Sequence, residues 1–182
     1  ATGAMDNGIG SFSVLDMART FKALKLQPAR TIDFVMFMGE EEGLLGSRAY
    51  VDAAIKDKSI DQIRYMLNYD MTNDPKGYHT SDAESKDLFV AIGSIANQLD
   101  SNFKNTFSVG AGLHSDHQPF MLHGVPTGGG AGGALPKGAG PCYHADCDLF
   151  SLVEDKGMRN TVRFNTMLLL SLIHISEPTR PE

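Results

Sequence analysis

The stretch "TIDFVMFMGEEEGLLGS", residues 31–47, decides how this chain folds. Ile32 to Met38 is a nearly unbroken apolar run rich in Ile, Phe and Val, and it ends in Gly39 followed by Glu40, Glu41 and Glu42. Such a run, Thr31 to Met38, reads as a strand buried on both faces, as in a parallel sheet. Three like charges at its end repel one another and resist leaving water. Their position therefore asks for a compensating charge.

Working outward, the pattern alternates. Before the run, Val14, Leu15, Ala18, Phe21 and Leu24 recur at helical spacing, with Asp6 or Asn7 able to cap the helix and Pro28 ending the segment. After it, Gly46 to Lys58 reads as a helix and Ile63 to Met71, "IRYMLNYDM", as a second buried strand. "DPKG" marks a turn. Leu88, Ala91, Ile92, Ile95 and Leu99 outline another amphipathic helix. Short elements are expected at Phe107–Val109 (strand), after Ser115 (helix) and at "GVPT" (strand). A glycine-rich loop from Gly128 to Gly140 follows, and a last helix begins near Ser151. Strands alternating with helices predict an α/β fold, a three-layer αβα sandwich around a mostly parallel sheet.

Composition narrows the function. The chain has 182 residues, 42% of them apolar, enough for one domain with a real core. Lys and Arg number 16 against 22 Asp and Glu, a net charge of −6, with no basic run or stripe, so nucleic acid is not an expected partner. No segment approaches the roughly 18–20 consecutive apolar residues of a membrane span. Two cysteines, Cys142 and Cys147, cannot build a disulfide scaffold or a Cys-type zinc finger; they either pair or stay free.

In open α/β sheets, sites form beyond the carboxyl ends of the strands. Glu40, Glu41 and Glu42 follow one such end, and Asp70 closes the next strand. Asp6 sits in a Gly-flanked turn, and His144 in the loop after Pro141. Taken singly each is ordinary: a turn or cap, a solvated run, a turn start, a hydrogen-bonded loop histidine. His79, His114 and His123 keep that reading. Together, Asp6, Glu40, Glu41, Asp70 and His144 offer the oxygen and imidazole donors of a catalytic zinc site. Two metals about 3.5–4 Å apart with a bridging carboxylate would use more of them. A dication among the acids also answers their repulsion.

Five blocks in order, "GAMDNGIG", "RTIDFVMFMGEEEGLLGSRAY", "LNYDMTN", "SDHQPFMLHGVP" and "YHADCD", resemble the zinc exopeptidases of the bacterial leucyl aminopeptidase type, metallopeptidase clan MH. Relatives there include plasma glutamate carboxypeptidases and glutaminyl cyclases. The resemblance implies Asp6 as a carboxylate bridging two zinc ions and Glu40 as general base. It implies Glu41 and His144 as ligands of one ion and Asp70 as a ligand of the other. Glu42 falls on a variable position.

The family's remaining ligand, a His in a His-x-Asp motif, would precede Asp6. Without it, two zincs per site are expected in the intact protein and one incomplete site here. Ser115, Asp116, His117 and His114 are expected to line the substrate pocket. Gly112 stands where some aminopeptidases carry a Tyr thought to polarise the substrate, leaving His114 as a candidate for that task. Asp148 is expected to orient the loop of His144, and a disulfide stiffening that loop is left open.

The expected activity is metal-dependent exopeptidase action, aminopeptidase above carboxypeptidase or dipeptidase, on a peptide or amino-acid-conjugate substrate. Glutaminyl cyclisation and a non-catalytic binding role are the alternatives. The resemblance implies a periplasmic or secreted location. The chain starts at Ala1 inside a motif, so residues 1–169 are expected to be a partial catalytic domain, truncated at both ends. Leu170 to Arg180, "LSLIHISEPTR", resembles the translation of a sequencing-library adapter, so residues 170–182 are expected to be a non-native tail and His174 to carry no function.

Overall fold

A computed structural model describes residues 2–110 and 112–173. The adapter-like tail lies outside the described residues from position 174 onward.

Five helices and four strands are described: α1 (Ile9–Ala23), α2 (Leu45–Lys56), β1 (Met66–Leu67), β2 (Gly77–Thr80), α3 (Lys86–Leu99), β3 (Thr106–Val109), α4 (Gln118–Leu122), β4 (Thr127–Ala131) and α5 (Asp155–Ile173). The sheet has the order β1-β4-β2-β3. β1 pairs parallel to β4 and β2 parallel to β3, while β2 and β4 run antiparallel.

The sheet separates two helical layers. On one side Tyr78, Phe89, Ile92, Ala96, Phe103, Phe164 and Leu168 form a continuous core joining β2, α3 and α5. Tyr78 is 1% exposed and donates its hydroxyl to the Phe164 carbonyl at 2.7 Å, so the one polar atom of that ring is satisfied. On the other side Val51 of α2 and Phe120 of α4 pack with Val125, Phe37, Tyr50 and Met66. Met66 and Leu67 face opposite cores, as neighbours on a strand must. The αβα expectation holds.

Two expectations about strands do not. Residues 31–38 are not a strand: among the described residues no backbone hydrogen bond involves 31–37, and Phe34, Val35 and Met36 are 36–52% exposed. The side chains still alternate between layers, Phe34 meeting Phe21 of α1 and Phe37 meeting Phe120 of α4. Among the described residues no strand is bonded to the run. The second predicted strand, Ile63 to Met71, is ordered as a strand only at Met66–Leu67, because β1 is an edge with β4 as its single partner.

The predicted glycine-rich loop is also shorter. Its start, Gly128–Ala131, is strand β4 at the centre of the sheet. A Cβ on Gly128 would lie 2.4 Å from the His79 carbonyl, and one on Gly130 would lie 3.0 Å from the Asn165 side chain. These glycines let neighbouring backbone and α5 approach closely.

Candidate metal centre

Asp6 lies in the irregular turn Ala4–Gly8, whose Asp6–Asn7 peptide bond is cis. The turn is held from two directions. Asp148, only 4% exposed, accepts the Met5 and Asp6 amide N–H groups on its two carboxylate oxygens at 2.8 and 3.0 Å. Asn7 accepts the N–H groups of Gly10 and Met71 on Oδ1 and donates Nδ2 to the Tyr69 carbonyl. The first contact caps α1; the others tie the turn to the chain beside Asp70.

Glu40 and Glu41 sit in a turn closed by Gly43 and Leu44 N–H groups donating to the Glu40 carbonyl. Gly39 and Gly43 have φ of 71° and 103°, the left-handed region that glycine enters freely. This reversal lets adjacent glutamates leave the strand-like alternation. His144 also has a positive φ, 54°, uncommon for a residue with a Cβ. A disulfide, Cys142–Cys147, brackets it, and its ring stacks on Tyr143 with centroids 3.8 Å apart. The two cysteines therefore pair.

His144 Nε2 lies 3.2 Å from Asp6 Oδ2 and 2.8 Å from Glu41 Oε1. One donor atom from each of the three residues falls within 4.8 Å of the others, the single such cluster of potential metal ligands among the described residues. In a tetrahedral zinc site with bonds of about 2.0–2.1 Å, ligand atoms sit roughly 3.3 Å apart. Two carboxylates and an imidazole at these spacings fit a zinc ion.

Asp70 and Glu40 stand beside this cluster without joining it. Asp70 Oδ2 accepts a hydrogen bond from Ser115 at 2.6 Å, and Ser115 Oγ in turn accepts from Asn68 at 2.9 Å. Burial, then the charges of Asp70, Glu41, Asp116 and Asp6, push the Glu40 carboxyl up to about 7. Burial, then the charges of Asp70 and Glu41, push Asp6 up to about 6. Crowded acids thus hold protons near neutrality, the state a bound dication would reverse.

Of the expected pocket residues, Ser115 and Asp116 are buried, and both bear on the acids. His117 is tied down, its Nε2 2.6 Å from the Gly112 carbonyl. His114 is exposed, and no hydrogen bond or ion pair of its side chain is seen among the described residues. The Asp148 carboxylate, expected to orient the loop of His144, bonds instead to the Asp6 turn; in the loop, among the described residues, only its backbone N–H is engaged, donating to the Ala145 carbonyl. Asn7, expected only as a helix cap, and Asn68, not singled out from sequence, also hold the site; the "DNG" and "LNYD" contexts were the available signal.

The sequence pattern of peptidase family M28 matches residues 1–169. Leupeptin-inactivating enzyme 1 from Streptomyces exfoliatus is 31% identical over 86% of this chain and 38% of its own length. Aminopeptidase Y from Saccharomyces cerevisiae is 31% identical over 80% of this chain and 29% of its own. The chain thus spans well under half of these curated relatives. Among solved structures, a zinc aminopeptidase from Bacillus subtilis superposes with a TM-score of 0.70 at 24% identity, covering 94% of this chain and 42% of that one.

Proposed function

Because the chain belongs to peptidase family M28, we propose that it carries the greater part of the catalytic centre of a zinc-dependent aminopeptidase. The observation that carries this reading is the convergence of Asp6, Glu41 and His144, with Glu40 next to Glu41 but outside the cluster.

Bound among those three donors, zinc would polarise a substrate carbonyl and lower the pKa of a water toward neutrality. Asp6, Glu41 and His144 would hold the ion. Asp148 keeps the Asp6 turn in place through its two amide contacts. Asn68 and Ser115 orient Asp70, which with Asp6 represents the ligand set of a second ion. Glu40, next to Glu41 but outside the ligand cluster, is placed to take a proton from water and pass it to the leaving amine. This division explains the paired glutamates: one holds metal, the other stays free to move protons.

The substrate is a peptide or an amino-acid conjugate. The Cys142–Cys147 disulfide supports an oxidising, extracytoplasmic location, and no described helix is long and apolar enough to cross a membrane. Residues 1–169 form the partial catalytic domain, with 170–182 a tail foreign to it.

The test is hydrolysis of a leucine anilide by the zinc-loaded full-length protein. Glu40→Gln should lower the rate by about 10²–10⁴ while zinc stays bound. Activity unchanged in that variant would end the assignment of Glu40 as base.

A further inference from the structure

The loop that carries His144 is closed by a covalent bond that no catalytic step uses. Cys142 and Cys147, five apart in sequence, form a disulfide with their Cα atoms 5.1 Å apart. The loop serves the metal centre twice. Inside it, His144 places Nε2 3.2 Å from Asp6 Oδ2 and 2.8 Å from Glu41 Oε1. At its end, Asp148 follows Cys147 directly and accepts the Met5 and Asp6 N–H groups on its carboxylate. The Asp148 carbonyl accepts the Thr2 N–H and hydroxyl as well. One short closed loop thus supplies one of the three ligands and braces a second.

Packing alone holds the histidine weakly. Its side chain is 48% exposed, and the ring it stacks on, Tyr143, belongs to a residue 53% exposed. Its φ of 54° lies in the left-handed region, where few residues with a Cβ settle unaided. Two turn bonds support the loop, Ala145 N–H to the Cys142 carbonyl and Asp148 N–H to the Ala145 carbonyl, both at 3.1 Å. Each such bond contributes modestly, whereas a covalent link removes the open conformers of the loop outright. The two sulfurs also differ in access. Cys142 is 9% exposed, with its N–H bonded to the carbonyl of buried Ala139, while Cys147 is exposed. A thiol arriving from solvent therefore meets Cys147 first.

Given Asp6, Glu41 and His144 as zinc ligands, the reading on which this rests, we propose that Cys142–Cys147 is a redox gate on the zinc site. Oxidised, the loop keeps His144 and the Asp6 turn in ligand positions. Reduced by a dithiol, it lets both move, and the site loses its hold on the ion. In that step a thiolate of the dithiol attacks Cys147 Sγ. The Cys142–Cys147 bond breaks as a mixed disulfide forms, and Cys142 leaves as a thiolate and takes up a proton. The second thiol of the dithiol then attacks the dithiol sulfur of the mixed disulfide and frees Cys147 as a thiol. The dithiol ends as a disulfide, and the protein has gained two electrons and two protons. In a reducing compartment the chain would thus lack a closed zinc site, and it would gain one on entering an oxidising compartment.

The experiment compares the full-length protein oxidised, the same protein reduced by a dithiol that is then removed without air, and the double variant Cys142→Ser with Cys147→Ser. Zinc affinity is read by competition with a chromophoric chelator, and amide hydrogen exchange is read on the metal-free protein. Reduction should weaken zinc binding by about 10–100-fold. It should also speed exchange at Met5 and Asp6 while α3 and α5 stay protected, and reoxidation should reverse both effects. The double variant, which has no thiol to bind zinc in its own right, should match the reduced protein and ignore reoxidation. Zinc affinity equal or tighter after reduction, or a double variant that binds like the oxidised protein, would overturn the gate and leave the ligands assigned. Lost protection across α3 and α5 on reduction would overturn it too, because the disulfide would then hold the fold and not the site. An oxidised protein without zinc affinity would overturn the ligand assignment, and the gate with it.

Discussion

Two apolar regions of the molecule are built in opposite ways. The region around Tyr78, Phe103, Phe164 and Leu168 is closed, each of these residues 0–1% exposed and the sheet bonded above it. The run Ile32 to Met38 is at least as apolar in sequence, yet Met36 is 52% and Met38 81% exposed, and among the described residues the backbone of 31–37 has no hydrogen-bond partner. Asp6 and Asp70 are braced through Asp148, Asn7, Asn68 and Ser115. Glu40 and Glu41 hang from the open run. Apolarity states that a segment wants burial; it does not supply the neighbour that buries it.

The contrast breaks if truncations in the two regions cost the same. Phe164→Ala should remove about 3–5 kcal/mol of stability, because a fully buried ring leaves a cavity. Val35→Ala should stay within about 0.5 kcal/mol, like a surface change. Urea unfolding of both variants measures the difference. Equal losses would mean that 31–37 is buried in solution.

Bracing can be tested next. Asp148→Ala leaves the Met5 and Asp6 amides without their acceptor, at a cost of about 1–3 kcal/mol. The same change should weaken zinc binding by about 10–100-fold, as losses behind a ligand do. Calorimetry on the variant would show both; unaltered zinc affinity would remove Asp148 from the account.

A smaller effect concerns pH. In the folded, metal-free chain Asp6 and Glu40 titrate at about 6 and about 7, against roughly 4 in the unfolded chain. Between those values the folded state holds more protons, so stability is fullest near pH 4 and falls as pH rises through 7. The metal-free melting temperature should drop on the order of a few degrees over that window. Zinc should cancel the drop, since a dication favours the ionised acids. A flat metal-free profile would mean the acids are not crowded.

The site was more legible than the sheet. Placement at the ends of predicted strands and in turns offered five candidates, Asp6, Glu40, Glu41, Asp70 and His144, and the resemblance of five sequence blocks to the zinc exopeptidases singled out Asp6, Glu41 and His144 as one ligand set. The helices showed their 3.6-residue spacing. The strand expected to open at "GVPT" does open at Thr127, but its continuation as β4 was read as loop because three glycines carry no side chains to signal a strand; close approach to His79 and Asn165 explains them. β2, "GYHT", follows directly on a Pro-Lys-Gly turn and is too short to show a period. Asn7 read as a turn or helix cap and Asn68 as one residue of a buried strand, since an amide that braces a site carries no local pattern of its own. The open state of 31–37 could not be foreseen, because strand neighbours are a property of the assembled sheet.

The separation of roles between neighbouring glutamates is the centre of the account. Zinc titration of the wild-type chain, Glu40→Gln and Glu41→Ala by calorimetry at about pH 7.5 tests it most directly. Glu41→Ala should lose zinc affinity by about 100-fold or more, and Glu40→Gln should bind like the wild type. Loss of zinc in Glu40→Gln as severe as in Glu41→Ala would contradict the account, because Glu40 would then be a ligand and not the free base.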